Sequence, residues 1–167
     1  MKLTDLSDEQ LETMAQNYRA AKKTVGGKFS YAEVLLELGR RSNAAYGGRA
    51  VLEAILQLCR SSPSKKTTYG DLYFALSKGS PWKGNATQGL MSKTLDKAAH
   101  YCIVNNLPMI TALVVRATGK LDPSAIKNMY NFAKERGIDV GISPDGYIER
   151  EIREALRFVE NQASLLD

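Results

Sequence analysis

Apolar residues recur at helical spacing through the N-terminal third of the chain. Leu11, Met14 and Tyr18 fall on one face of an amphipathic helix, with Ser7 and Gln10 forming a capping-box pattern ahead of it and Gly26-Gly27 predicting its end. Ser30 with Glu33 repeats the capping signature, and Tyr31, Val34, Leu35 and Leu38 supply a second apolar face before Gly39. After the loop chemistry of Tyr46-Gly47-Gly48, the residues Val51, Leu52, Ile55, Leu56 and Cys59 predict a third helix that ends before Ser61-Ser62-Pro63. Residues 1–62 therefore read as one N-terminal helical layer.

The pattern changes at Thr67. Thr67-Thr68-Tyr69 is β-branched and aromatic, Asp71 to Leu76 has helical spacing, and Gly79 to Asn85 is rich in turn residues. A long helix is predicted from about Thr87 to Val104. With successive residues turned by about 100°, Met91, Leu95, Ala98 and Cys102 fall in one narrow sector with Leu90, Thr94 and Tyr101 on its margin. The opposite side carries Gly89, Lys93, Asp96, Lys97 and His100. Asn105-Asn106 and Pro108 end this helix, the apolar run Ile110 to Val115 reads as a buried strand, and Thr118-Gly119-Lys120 is a turn. In the C-terminal third, Asp122 or Ser124 caps a helix presenting Ile126, Met129, Tyr130 and Ala133, with Gly137 in the left-handed position past its end. Ser143-Pro144 opens a last helix presenting Ile148, Ile152, Leu156 and Val159. The expected fold is mainly α: one domain over 1–167, with a helix-turn-helix or winged-helix-like unit at 67–121, a short β element, and C-terminal helices at 122–167.

Charge adds a direction to this outline. The net charge is +5, but Arg40 to Lys97 holds ten Lys or Arg against three acids, a balance of +7, and the remainder of the chain sums to −2. A basic middle in an otherwise ordinary scaffold suits a polyanion, although a run of charge is equally explained by a solvated face. No apolar run is long enough for a membrane span and the first residues lack the pattern of a secretory leader, so a cytoplasmic protein without a membrane partner is expected. Cys59 and Cys102 sit inside apolar helical patterns without partners at metal-ligand spacing, and read as small buried hydrophobes. His100 has no Cys or Asp at ligand spacing and no orienting carboxylate, and neither Gly26-Gly27-Lys28 nor Gly47-Gly48-Arg49 matches a nucleotide-binding fingerprint. No metal, cofactor or catalytic constellation is therefore expected.

Tyr69-Gly70-Asp71-Leu72, the long helix, Asn106-Leu107-Pro108, and Leu113-Val114-Val115 followed by Thr118-Gly119-Lys120-Leu121 together resemble the winged-helix domain of the alkyltransferase-like DNA-binding proteins. The resemblance implies that architecture and duplex DNA as partner. Where that family carries its reactive Cys and His this chain has Thr111, Ala112 and Leu113, so neither nucleophile nor base is present. The flanking helices are similar to those of small proteins of bacteriophages and mobile elements.

A non-enzymatic DNA-binding role assigns its contacts physically. Lys93 and Lys97 face the duplex from the long helix, Gln88 and Ser92 reach base edges or phosphate from its flank, and Gly89 allows close approach. Lys65, Lys66 and Lys83 neutralise phosphates from the neighbouring loops, and Trp82 stacks on a base or wedges into a step. The same lysines are also explained by solubility and Trp82 by packing at the domain edge. The alternative of another class is an inhibitor that binds and blocks a nucleic-acid-processing or defence protein, anchored by Tyr46, Tyr73, Phe74 and Trp82.

Overall fold

Helix ends in this chain are set by side chains the sequence supplies at the right offsets. A computed structural model describes residues 1–41, 46–162 and Leu165, excluding the side chains of Asp8, Glu9, Gly39, Arg40 and Arg41; the last two, part of the basic middle, thus lie outside the described residues. Helix α1 spans Asp8–Ala21; the Ser7 hydroxyl accepts from the Gln10 N–H at 3.1 Å, and the Ser7 N–H donates to the Gln10 side chain at 2.8 Å. Helix α2 spans Tyr31–Arg41, where Ser30 and Glu33 exchange the same pair of bonds at 2.6 and 3.3 Å. Asp122 caps α6 (Pro123–Glu135) by accepting from the Ser124 N–H at 2.8 Å, and Ser143 caps α7 (Pro144–Asn161), each with Pro in the first turn. Gly137 has φ +76 past the end of α6, the left-handed residue the sequence calls for.

Between these lie α3 (Gly48–Ser61), β1 (Thr67–Thr68), α4 (Tyr69–Leu76), α5 (Gly84–Val104), a 3-10 turn (Ile110–Leu113) and β2 (Val114–Val115). The fold is mainly α with a short β element, as the hydrophobic pattern indicates. Several boundaries differ from the sequence reading. The first helix stops at Ala21 with Lys22 in the left-handed region (φ 51), well before Gly26-Gly27. The glycine pair instead serves a loop pinned by Tyr18, whose hydroxyl donates to the Phe29 carbonyl and accepts from the Gly27 N–H at 3.1 Å. Helix α2 continues through Gly39 to Arg41. The run Ile110–Val115 is buried as expected, but only Val114–Val115 is strand. Its partner, β1, offers two residues in parallel register, Thr67 to Val114 and Thr68 to Val115. The preceding residues therefore satisfy backbone groups within a turn, Ile110 N–H to the Pro108 carbonyl at 2.7 Å and Ala112 N–H to Met109 at 2.9 Å.

The buried residues fall into two clusters. Val51, Leu52, Ile55, Leu56 and Cys59 of α3 are fully buried, and they join α5, the 3-10 turn, α6 and α7 in the larger core. Leu11, Ala15, Tyr31, Val34 and Leu35 form a smaller one between α1 and α2. Packing thus separates α3 from the two helices before it. Tyr31 joins the two clusters: 1% exposed, its hydroxyl donates to Glu135 of α6 at 2.6 Å and accepts from the Arg19 guanidinium at 3.0 Å. Burial pushes this hydroxyl up to about 12, so it stays protonated as the donor. No described helix is long and apolar enough to cross a membrane.

Tyr31→Phe keeps the ring and removes the bridging hydroxyl, leaving Glu135 and Arg19 only their ion pair at 4.0 Å, and is expected to cost about 1 kcal/mol; urea denaturation followed by circular dichroism reads this, and an unchanged midpoint contradicts it. Thr94 in α5 is fully buried and its hydroxyl finds no hydrogen-bond partner among the described residues. Thr94→Val removes that orphan at constant shape and is expected to leave stability equal or raise it by up to about 1–2 kcal/mol in the same assay.

Candidate nucleic-acid interface

Helix α5 is buried along one face for its whole length, but its other face changes character halfway. Thr87, Met91, Thr94, Leu95, Ala98 and Cys102 are buried. In the first half Asn85, Gln88, Gly89, Ser92 and Lys93 are all exposed, and at helical angles they form one continuous polar strip. In the second half Asp96, Lys97 and His100 are half-buried. The His100 ring lies against Phe132 of α6, with centroids 4.1 Å apart. Burial, with Arg19 and Arg136 nearby, pushes its imidazole down to about 4, so it is neutral at pH 7.

Local chemistry fixes where the strip begins and ends. The Lys83 N–H donates to the Thr87 hydroxyl at 2.8 Å, so the helix starts at Gly84, three residues before the sequence reading placed it. That start brings Asn85 onto the exposed face; the sequence reading missed it by assigning it to the loop. At the far end Asn106 takes φ 54, and the Leu107 N–H returns to the Cys102 carbonyl at 2.9 Å and the Asn106 N–H to Ile103 at 3.3 Å.

The seven expected contact residues separate into groups. Gln88, Ser92 and Lys93 share the strip, and exposed Lys83 stands at its start. Lys97 lies one turn beyond Lys93 on the same side of the helix but in its half-buried second half, where partial burial lowers its ammonium below the ordinary value. The α3 N-terminus packs there: a Cβ on Gly48 would stand 3.4 Å from the Lys97 carbonyl. Lys65 has a structural task. With φ 59 it folds back so that its ammonium donates to the Arg60 carbonyl at 3.1 Å, at the negative end of α3. Lys66 is half-buried beside β1, its N–H on the Ser64 hydroxyl at 3.3 Å. Arg60, also counted in the basic middle, donates to the Val159 carbonyl of α7 at 3.1 Å.

One flank of the strip borders a cleft of about 160 Å³ between α4, α5 and α6, lined by Tyr69, Gln88, Ser92, Asp96, Asp122 and Asn128 among others. Its charge is the opposite of the basic middle. Burial pushes the Asp96 carboxyl up to about 6, against a lowering hydrogen bond with Asn128. Burial works to raise Asp122 too, but it is outweighed by Arg116, which donates two hydrogen bonds at 3.0 and 2.6 Å, and by the Ser124 N–H, leaving Asp122 below the ordinary carboxylate range. Burial, with Asp122 adding to it, holds the Tyr69 hydroxyl up at about 12. Two carboxyls make the interior of the cleft a poor place for an anion. The sequence hides this cleft because Tyr69, Asp96 and Asp122 come from separate elements. Of the proposed protein-binding anchors, Tyr46 and Tyr73 are partly buried against the core, whereas Phe74 and Trp82 are exposed.

Asp96 and His100 act on stability in opposite senses over one pH interval. The unfolded chain protonates His100 near its ordinary 6.5 and the folded chain only near 4, so this group makes stability rise with pH between those values. Asp96 holds its proton in the fold up to about 6 but loses it near 3.8 when unfolded, so its contribution falls with rising pH. Asp96→Asn is therefore expected to stabilise the protein at pH 7 by up to about 3 kcal/mol, with the gain vanishing toward pH 4, as read by urea unfolding at several pH values; a gain independent of pH contradicts the burial argument.

No protein-family model, curated protein or solved structure matches the chain, so the reading of this face rests on its own geometry.

Proposed function

We propose that the protein is a non-enzymatic DNA-binding protein that lays the first half of α5 in the major groove of a duplex. The supporting observation is the exposed strip Asn85, Gln88, Gly89, Ser92 and Lys93 on a helix whose opposite face is fixed in the core. Recognition helices present their N-terminal residues to base edges, and the groove admits one helix. Gln88 and Asn85 carry amides able to pair with adenine, Ser92 reaches either base edge or phosphate, and Gly89 lets the backbone approach. Lys93 and Lys83 neutralise phosphate. Lys66 and Lys97 add to the field from outside the strip, and Lys65 is committed to α3.

The expected behaviour is steeply salt-dependent binding of labelled duplex DNA in fluorescence anisotropy. Lys83→Glu/Lys93→Glu is expected to weaken binding at least tenfold and to flatten the salt slope by about 2, whereas Lys97→Glu changes affinity less. Gln88→Ala is expected to blunt discrimination among duplex sequences while leaving the salt slope intact. Absence of duplex binding at low salt overturns the reading.

A further inference from the structure

Phe74 in α4 and Trp82 in the loop Ser77–Lys83, which leads into the exposed strip of α5, display aromatic surface that the groove contact of α5 leaves unused. Phe74 is 62% exposed and Trp82 38%. Helix α4 ends with Lys78 in the left-handed region (φ 55) and the Gly79 N–H on the Phe74 carbonyl at 2.9 Å, which folds the loop back over the helix end. The Phe74 ring then rests on Gly79, where an added Cβ would stand 3.7 Å from its tip. Trp82 is braced edge-on by Tyr73, with centroids 5.9 Å apart and planes at 85°.

From Phe74 to Lys83 the chain carries Lys78 and Lys83, with the exposed Asp71 one helical turn before Phe74. Exposed aromatic rings on a segment with a net excess of cations complement the faces of bases strung on a phosphate backbone, the combination by which single strands are held without sequence preference. A purely apolar partner would instead have to cover two ammonium groups without pairing them. We infer that Phe74 and Trp82 form a stacking platform for unpaired bases, and that the preferred ligand is DNA in which a duplex passes into single strand. The duplex lies on α5 and the first unpaired bases lie on the platform. This inference rests on the duplex reading of α5, and the experiment separates the two.

Trp82 is the one tryptophan of the chain, so intrinsic fluorescence reports on the platform directly. The protein is titrated with a blunt duplex, the same duplex bearing a 5′ or a 3′ single-stranded extension, and the single strand alone. The expected result is quenching by the single strand and by at least one extended duplex but not by the blunt one, with that extended duplex binding roughly tenfold more tightly. Phe74→Leu keeps the apolar bulk and loses the aromatic face; it is expected to remove most of that advantage while blunt-duplex affinity and the thermal midpoint stay within error. Equal affinity for blunt and extended duplexes with unmoved Trp82 emission overturns the platform and leaves the duplex reading standing. Failure to bind any DNA removes both. Emission that changes with protein concentration in the absence of DNA, together with a dimer in sedimentation velocity, overturns the platform in favour of a contact between copies of the chain.

Discussion

Helix α5 has to satisfy two environments along a single axis. With 21 residues it is roughly 31 Å long, and its apolar sector is in the larger core from Met91 to Ile103. Every other element of that core touches it or touches something that does: α3 and the 3-10 turn meet its buried side, α6 covers one flank of its second half, and α2 reaches it from the smaller cluster. Only the first half is left with an uncovered polar face. A helix held this way presents side chains on a rigid support, which fixes their geometry more closely than a loop would. The position of the candidate interface is thus a by-product of how the core is covered.

Charge in this chain serves the fold before it serves any partner. Lys22, Lys65 and Lys78 adopt left-handed backbone conformations that glycine or asparagine would take at less cost. Lys22 and Lys78 stand just past α1 and α4, and Lys65 also returns its ammonium to the negative end of α3, which offsets part of the strain there. Arg60 and Arg116 are likewise committed, one to a carbonyl of α7 and one to Asp122. Counting basic residues along the chain therefore overstates the field available to a polyanion. At the start of α5 the exposed cations are Lys83 and Lys93, bounded on one side by the carboxyls of the cleft, and that boundary gives the face a direction.

Local rules carried much of the fold. Ser7 with Gln10, Ser30 with Glu33, Asp122-Pro123 and Ser143-Pro144 each mark a helix start because the donor and acceptor lie within one turn of each other. The core face of α5 was legible for the same reason, since 3.6-residue spacing selects Met91, Leu95, Ala98 and Cys102. Tertiary covering was not legible: periodicity puts Asp96, Lys97 and His100 opposite the core, and only the approach of Phe132 and the α3 N-terminus turns that side into a second contact. The run Ile110–Val115 shows the other limit. Its length and branching suit a strand, but a strand needs a neighbour of equal length, and Thr67–Thr68 is two residues. The exposed strip was half visible: helix geometry puts Gln88, Ser92 and Lys93 on the outer face, Asn85 was assigned to the loop before the helix, and the bond from Lys65 to the Arg60 carbonyl depends on a backbone turn the sequence does not announce.

The Tyr31 hydroxyl bridges two cores of unequal size, one of them resting on five buried residues between α1 and α2. A unit with so little apolar burial of its own opens more readily than the body it leans on, and proteins exchange their amide hydrogens through such partial openings long before they unfold as a whole. Arg19, which acts on Asp96 and His100, belongs to this unit. Loosening α1 and α2 would therefore relax the electrostatic environment behind α5 while leaving its apolar seat in the larger core untouched, so the persistence of the exposed strip and the persistence of the N-terminal helix pair are separate quantities.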